Sequence, residues 1–201
     1  MKNILLVSAG MLAGCATAQN HNHFNQYSIE VAAGLNHSAQ PQLTALRHFE
    51  GGFRYMHTEY WGVKADYGFD GYKTPYGAGK VTQVNRISAQ AVYNLGRKLR
   101  ISDVAPNVFN FLLHGGAGFT LLKNNEGNYD KGTNVLIGGT AQFYLSPQFA
   151  LTGDLTGMLN FKQNYRYDST GRYGYFTGTT AALSVGITYY FGRNGATADW
   201  H

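Results

Sequence analysis

Eight ionisable residues stand out as able to do chemistry: Glu30, Glu50, Arg54, Lys64, Asp66, Arg86, His114 and Asp154. Acids and bases are nearly balanced among them, so they can pair with one another or exchange partners along an ion path. His37, His48 and Asp70 add the imidazoles and carboxylate that general-base or nucleophile-activating chemistry requires. Between Phe161 and Phe176, Tyr165, Tyr167, Tyr173 and Tyr175 mix with Lys162, Arg166 and Arg172, a composition suited to stacking on sugars and pairing with phosphates. The single cysteine, Cys15, excludes an intramolecular disulfide. His21 and His23 read as part of a solvated lead-in, and no spacing of Cys, His or carboxylates calls for a metal or a cofactor. The pairs Gly115-Gly116 and Gly138-Gly139 open no strand-to-helix turn, so they are not phosphate loops; they suit tight sheet curvature.

The elements that position these groups follow from composition and period. Only 13% of the 201 residues are charged, against roughly 25% in an ordinary soluble protein. Aromatic residues make up 14%, and 26 Gly accompany only 4 Pro, which favours strands and tight turns. The net charge of +5 is scattered and forms no basic stripe, which argues against a nucleic-acid partner. Lys2 precedes the apolar run Ile4 to Leu12 and then small residues, the layout of a secretory signal peptide and too short to span a membrane. Ala16-Thr17-Ala18 offers cleavage before Gln19, the favoured site. Leu12-Ala13-Gly14-Cys15 competes as a lipobox, which would make Cys15 a lipidation site.

From Gln26 onward the chain alternates with period two and contains no convincing amphipathic helix. Tyr27, Ile29, Val31 and Ala33 share one face, opposite Ser28, Glu30 and Ala32. Ile87, Ala89, Ala91 and Tyr93 oppose Arg86, Ser88, Gln90 and Val92. Eight such segments recur, the last with Leu183, Val185, Ile187, Tyr189 and Phe191 opposite Ser184, Gly186, Thr188 and Tyr190. One face of every segment lacks charged and amide side chains, and the other collects Glu, Arg, Lys, Asp, His, Ser and Thr. A soluble barrel would bury the apolar face and expose the charged one. Here the charges are too few to cover an exterior, so they belong in a lumen and the apolar face belongs in lipid. The reading is an all-β, eight-stranded antiparallel up-and-down transmembrane barrel: signal peptide over 1–18, barrel over 19–192 and periplasmic tail over 193–201.

Connection lengths orient the barrel. Asn36 to Arg47, Asp70 to Gln83, Leu122 to Thr133 and Asn160 to Thr179 are long and polar, hence extracellular; His57 to Tyr60 and Ser146 to Gln148 are short periplasmic turns. Gly96 to Asn107 is longer than a periplasmic turn should be. With this polarity Tyr27, Tyr55, Trp61, Tyr93, Phe109, Phe143, Phe149 and Tyr189 gather near the periplasmic ends as a lipid-facing aromatic girdle.

Phe109 to Phe119, Phe149-Ala150-Leu151-Thr152-Gly153-Asp154 and the ending Gly186-Ile187-Thr188-Tyr189-Tyr190-Phe191-Gly192 resemble the N-terminal barrel of OmpA-type outer-membrane proteins. Ala198-Asp199-Trp200 resembles the exit from barrel to periplasm in some members. The resemblance implies outer-membrane residence and makes Tyr189 and Phe191 the signal read by the barrel-assembly machinery. Members often continue into a peptidoglycan-gripping domain, which these 201 residues do not include.

The functional expectation is a non-enzymatic barrel serving envelope integrity or surface interaction, its narrow lumen plugged by the charged network. A small gated ion pore is the alternative, as is a barrel enzyme acting on lipid A or peptides. The partners expected are outer-membrane lipid, lipopolysaccharide, the assembly machinery and a surface glycan or protein met by the extracellular loops.

Overall fold

The computed structural model describes residues 24–73, 81–104, 108–169 and 172–192. The signal peptide, Cys15, His21, His23 and the tail from 193 lie outside the described residues. Eight strands follow one another: β1 (Gln26–Ala39), β2 (Gln42–Met56), β3 (Trp61–Lys73), β4 (Val81–Asn94), β5 (Phe109–Lys123), β6 (Tyr129–Ser146), β7 (Phe149–Tyr165) and β8 (Arg172–Gly192). Each pairs antiparallel with the next, and β1 closes on β8 from Gln26 opposite Gly192 to Ser38 opposite Thr180. The sheet is therefore an up-and-down barrel with no free edge, the closed form that leaves no backbone group unpaired in lipid.

Alternation places side chains as the sequence requires. On β4 Arg86, Ser88, Gln90 and Val92 are buried inside, while Ile87, Ala89 and Ala91 are exposed outside. On the exterior Ile87 exposes 65% of its surface and Ile137 73%, whereas inside Arg54 exposes 2%. Apolar side chains interrupt the polar lining in layers. Met56, Val92 and Leu112 pack with Phe24 at the end that carries the β2–β3 turn, Leu136, Met158 and Ala182 meet deeper in, and Tyr72, Val84, Leu122 and Tyr167 close the opposite end.

The strands run further than the alternation alone implies. β1 and β2 stay paired to Ala39 opposite Gln42, so the expected long connection Asn36 to Arg47 is mostly sheet. Likewise β5 reaches Lys123 and β6 starts at Tyr129, while β7 and β8 extend the last hairpin to Tyr165 and Arg172. At these strand ends both faces carry polar residues, so the contrast that reveals period two fades while the backbone ladder continues. A bulge sets Leu46 and Arg47 against the single residue Leu35, a device that raises the local twist.

The long connection between β4 and β5 contains two helical turns, α1 (Leu95–Lys98) and α2 (Ile101–Val104). Asn94 caps α1, its Oδ1 accepting from the Arg97 backbone N–H at 3.0 Å. Arg97 then pairs with Glu59 of the β2–β3 turn at 2.8 Å, tying neighbouring connections at this end of the barrel together.

Candidate functional site

The inward-facing charges converge in the lumen. Glu30 on β1 pairs with Arg54 of β2 at 2.7 Å and with Lys64 of β3 at 2.9 Å. Lys64 also reaches Glu50 at 3.6 Å, and Arg86 of β4 lies between Glu50 at 3.7 Å and Asp70 at 3.8 Å. His48 bridges the same two carboxylates, at 2.6 Å from Asp70 and 3.4 Å from Glu50, and Asn36 donates to Asp70 at 3.1 Å. A second branch centres on Asp154, which lies 2.9 Å from His114 and accepts hydroxyl hydrogen bonds from Thr140 at 2.6 Å and Thr156 at 2.5 Å. His114 Nδ1 is 2.6 Å from Gln90 Oε1, and Gln90 Nε2 donates to Asp66 at 2.8 Å. Ser88 donates to Asp66 as well.

Three glycines make this reach possible. Glu30, Gly52 and Asp66 are neighbours on successive strands, and a Cβ at Gly52 would sit 3.0 Å from the Lys64 stem that passes over it. Gly68 lies between Glu50 and Arg86, where a Cβ would come within 2.5 Å of the guanidinium. Gly138 lies beside His114, and a Cβ there would meet the ring at 2.5 Å, on its way from β5 to Asp154 of β7. Each pairing spans two strands by crossing an inward glycine on the strand between. That is the sequence signal for the pairs, and its physical content is room for the crossing side chain.

All eight ionisable residues taken from the sequence thus join this network. Asp70, His48, Gln90 and Asn36 complete it; Gln90 and Asn36 were legible only as inward-facing positions, and His48 and Asp70 were read for acid–base chemistry rather than for the network. Of His37, His48 and Asp70, the structure brings the last two together, 2.6 Å apart. His48 and Asp70 are buried in the lumen, whereas His37 is on the opposite side of the wall with its Nδ1 2.8 Å from Thr44 Oγ1.

The mouth differs from expectation too. Tyr167, taken for an exposed sugar-stacking residue, is fully buried: its ring packs on Tyr72 at 5.1 Å between centroids and its hydroxyl accepts from Asn160 at 3.0 Å. The β7–β8 connection reaches over the lumen, with Ser169 Oγ 2.6 Å from Thr82 of β4 and accepting from the Asn125 backbone N–H at 3.1 Å. Burial pushes the Tyr167 hydroxyl pKa up, so it stays neutral in the cap. Tyr175 remains exposed.

Outside, every member of the aromatic girdle has a partner directly across the ladder. Tyr27 stacks on Tyr55 at 4.9 Å, Trp61 meets Tyr93 at 4.7 Å, Phe109 meets Phe143 at 5.0 Å, and Phe149 meets Tyr189 at 5.0 Å. Phe191 joins Tyr27 at 5.9 Å and Tyr189 at 6.0 Å, so the terminal aromatics sit on the closing seam between β8 and β1.

An apolar exterior, a paired ionic interior and a closed sheet of eight strands define the class: an eight-stranded β-barrel of the outer-membrane type. No protein-family model and no curated protein matches the sequence. Among solved structures, the chain is similar to Neisserial surface protein A (TM-score 0.56, 13% identity, covering 83% of this chain and 96% of that one). It is similar also to the N-terminal β-barrel domain of Pseudomonas aeruginosa OprF (TM-score 0.53, 18% identity, 83% and 98% covered). A third likeness is to a major outer membrane protein from Thermus thermophilus (TM-score 0.51, 15% identity, 84% and 100% covered). At these identities the likeness establishes the fold.

Proposed function

We propose that this protein resides in the bacterial outer membrane as a non-enzymatic barrel supporting envelope integrity or surface interaction, with its lumen closed by its own side chains. The observation that carries this reading is the continuous ion-pair network from Glu30 to Asp70 across β1 to β4, bracketed by apolar layers at both ends. Charges this deeply buried and mutually paired hold side chains in place and leave little path for water. The cavity beneath Tyr72 and Tyr167, bounded by Asp70 and Arg86, is about 10 Å³, room for about one water.

The non-catalytic part of the proposal is supported by the burial of the His48–Asp70 pair inside the lumen, with His37 on the other side of the wall, so that this imidazole and carboxylate are not presented at the surface. Outward residues such as Tyr175 are the side chains offered for surface contact. Single-channel recording in planar bilayers tests the plug. The unmodified protein should show little or no steady conductance, and Arg86→Gln should raise conductance or lower stability. A large, constant, water-filled pore in the unmodified protein would refute the closed lumen.

A further inference from the structure

On the lipid-facing wall a groove of about 380 Å³ crosses β6, β7, β8 and β1. That volume falls in the range of about 300–1,000 Å³ typical of small-ligand clefts. It exists because Gly157 and Ala181, neighbours in one cross-strand row, raise little or no side chain between Ile137 and His37. Val135 and Leu159 form its outer wall.

Its depth is set by the girdle. Gly157 is eight residues along β7 from the girdle residue Phe149, a climb of about 20 Å for a strand rising ~3.3 Å per residue at about 40° of tilt. The apolar band of such barrels is roughly 25 Å tall, so the groove opens on acyl chains of the outer leaflet just below its polar boundary. His37, half-buried at the groove edge, has Nδ1 engaged by Thr44, which leaves Nε2 as its remaining polar atom. Further out on β6 and β7, beyond Val135 and Leu159 of the groove wall, Lys131 and Lys162 are exposed at headgroup height. Apolar floor, one imidazole at the boundary and cations above it reproduce, in order, the acyl chain, the ester or sugar linkage and the phosphate of an anionic glycolipid.

We infer that this groove is a binding site for a phosphorylated, multiply acylated lipid of the outer leaflet, lipid A in chemical class, with one acyl chain lying over Gly157 and Ala181. The inference rests on the membrane-spanning reading but not on whether the lumen conducts, so it fails or stands separately from the plug.

The purified barrel in phosphatidylcholine nanodiscs, supplied with either purified lipid A or phosphatidylglycerol, tests it through native mass spectrometry of retained lipid. Gly157→Leu fills the groove with little steric cost, since the nearest atom to a Cβ there is the Ile137 carbonyl oxygen at 3.9 Å. Gly153→Leu is the matched control on the same strand, where a Cβ meets nothing within 4 Å. The unmodified protein and Gly153→Leu should retain lipid A in preference to phosphatidylglycerol. Gly157→Leu should lose about tenfold, the change that corresponds to losing contact with about two buried methylene groups. Ala181→Leu, a second filling, should lose lipid A too, and folding of each variant is verified by heat-modifiable gel mobility. Equal retention of the two lipids by the unmodified protein, or undiminished lipid A on the folded filled variants, would overturn the assignment.

Discussion

Ala89 and Gln90 are joined by one peptide bond and face different solvents. Ala89 lies in the apolar exterior beside Ile87 and Ala91, and Gln90 in the lumen holds Asp66 and His114. The two surfaces are stabilised in different ways. The outer one rests on many interchangeable apolar contacts with lipid, so changes there should be graded with depth and polarity. The inner one rests on specific partners whose desolvation is offset only while the pair is intact, so losing one partner strands the other.

The largest effect should therefore come from the lumen. Arg54→Leu removes the 2.7 Å partner of Glu30 and leaves that carboxylate with Lys64 alone. Breaking a buried pair costs about 3–5 kcal/mol in proteins generally, and denaturant titration in lipid vesicles should show a loss approaching that range. A negligible loss would mean the lumen is hydrated and its ion pairs are not a structural seal.

The neighbours themselves give the next effect. Ala89→Lys puts an ammonium near the bilayer midplane, at roughly 2–4 kcal/mol. Gln90→Lys places the same group beside Asp66, within reach of a carboxylate, and should cost clearly less. Equal costs would erase the distinction between the two faces, and the reverse order would favour an apolar interior.

The smallest expected effect is on the girdle. Trp61→Ala breaks the pairing with Tyr93, whose centroid is 4.7 Å away, and an aromatic pair is worth about 0.5–1.5 kcal/mol beyond its burial. Refolding midpoints should drop modestly, with the gel-shifted folded form retained. A loss as large as that of Arg54→Leu would show that the exterior, too, depends on particular partners.

Much of this architecture was legible residue by residue. The period-two pattern assigned Glu30, Lys64, Asp66 and Arg86 to one side of the wall and Ile29, Val63, Ala65 and Ile87 to the other, because successive side chains on a strand must point to opposite faces. Tyr55, Trp61 and the other outward aromatics were equally readable as members of the exterior face, and the structure pairs them across the ladder. The ends of the strands were not. Ser38 and Asp130 continue the ladder where polar residues occupy both faces, and hydropathy no longer reports the pairing.

Which inward groups meet was also beyond a linear reading. His114 and Asp154 are 40 residues apart in sequence and 2.9 Å apart in space, and Arg54 lies within reach of the Tyr190 hydroxyl at 3.4 Å. The sequence by itself determined the side of the wall each residue faces, a local property of the strand. Tertiary structure alone decided the register in which β1 meets β8, that Tyr167 turns inward, that His48 meets Asp70 and that Gly52, Gly68 and Gly138 let charges cross. Those outcomes depend on the relative stagger of strands that are not adjacent in the chain, and stagger is fixed only when the sheet closes into a barrel.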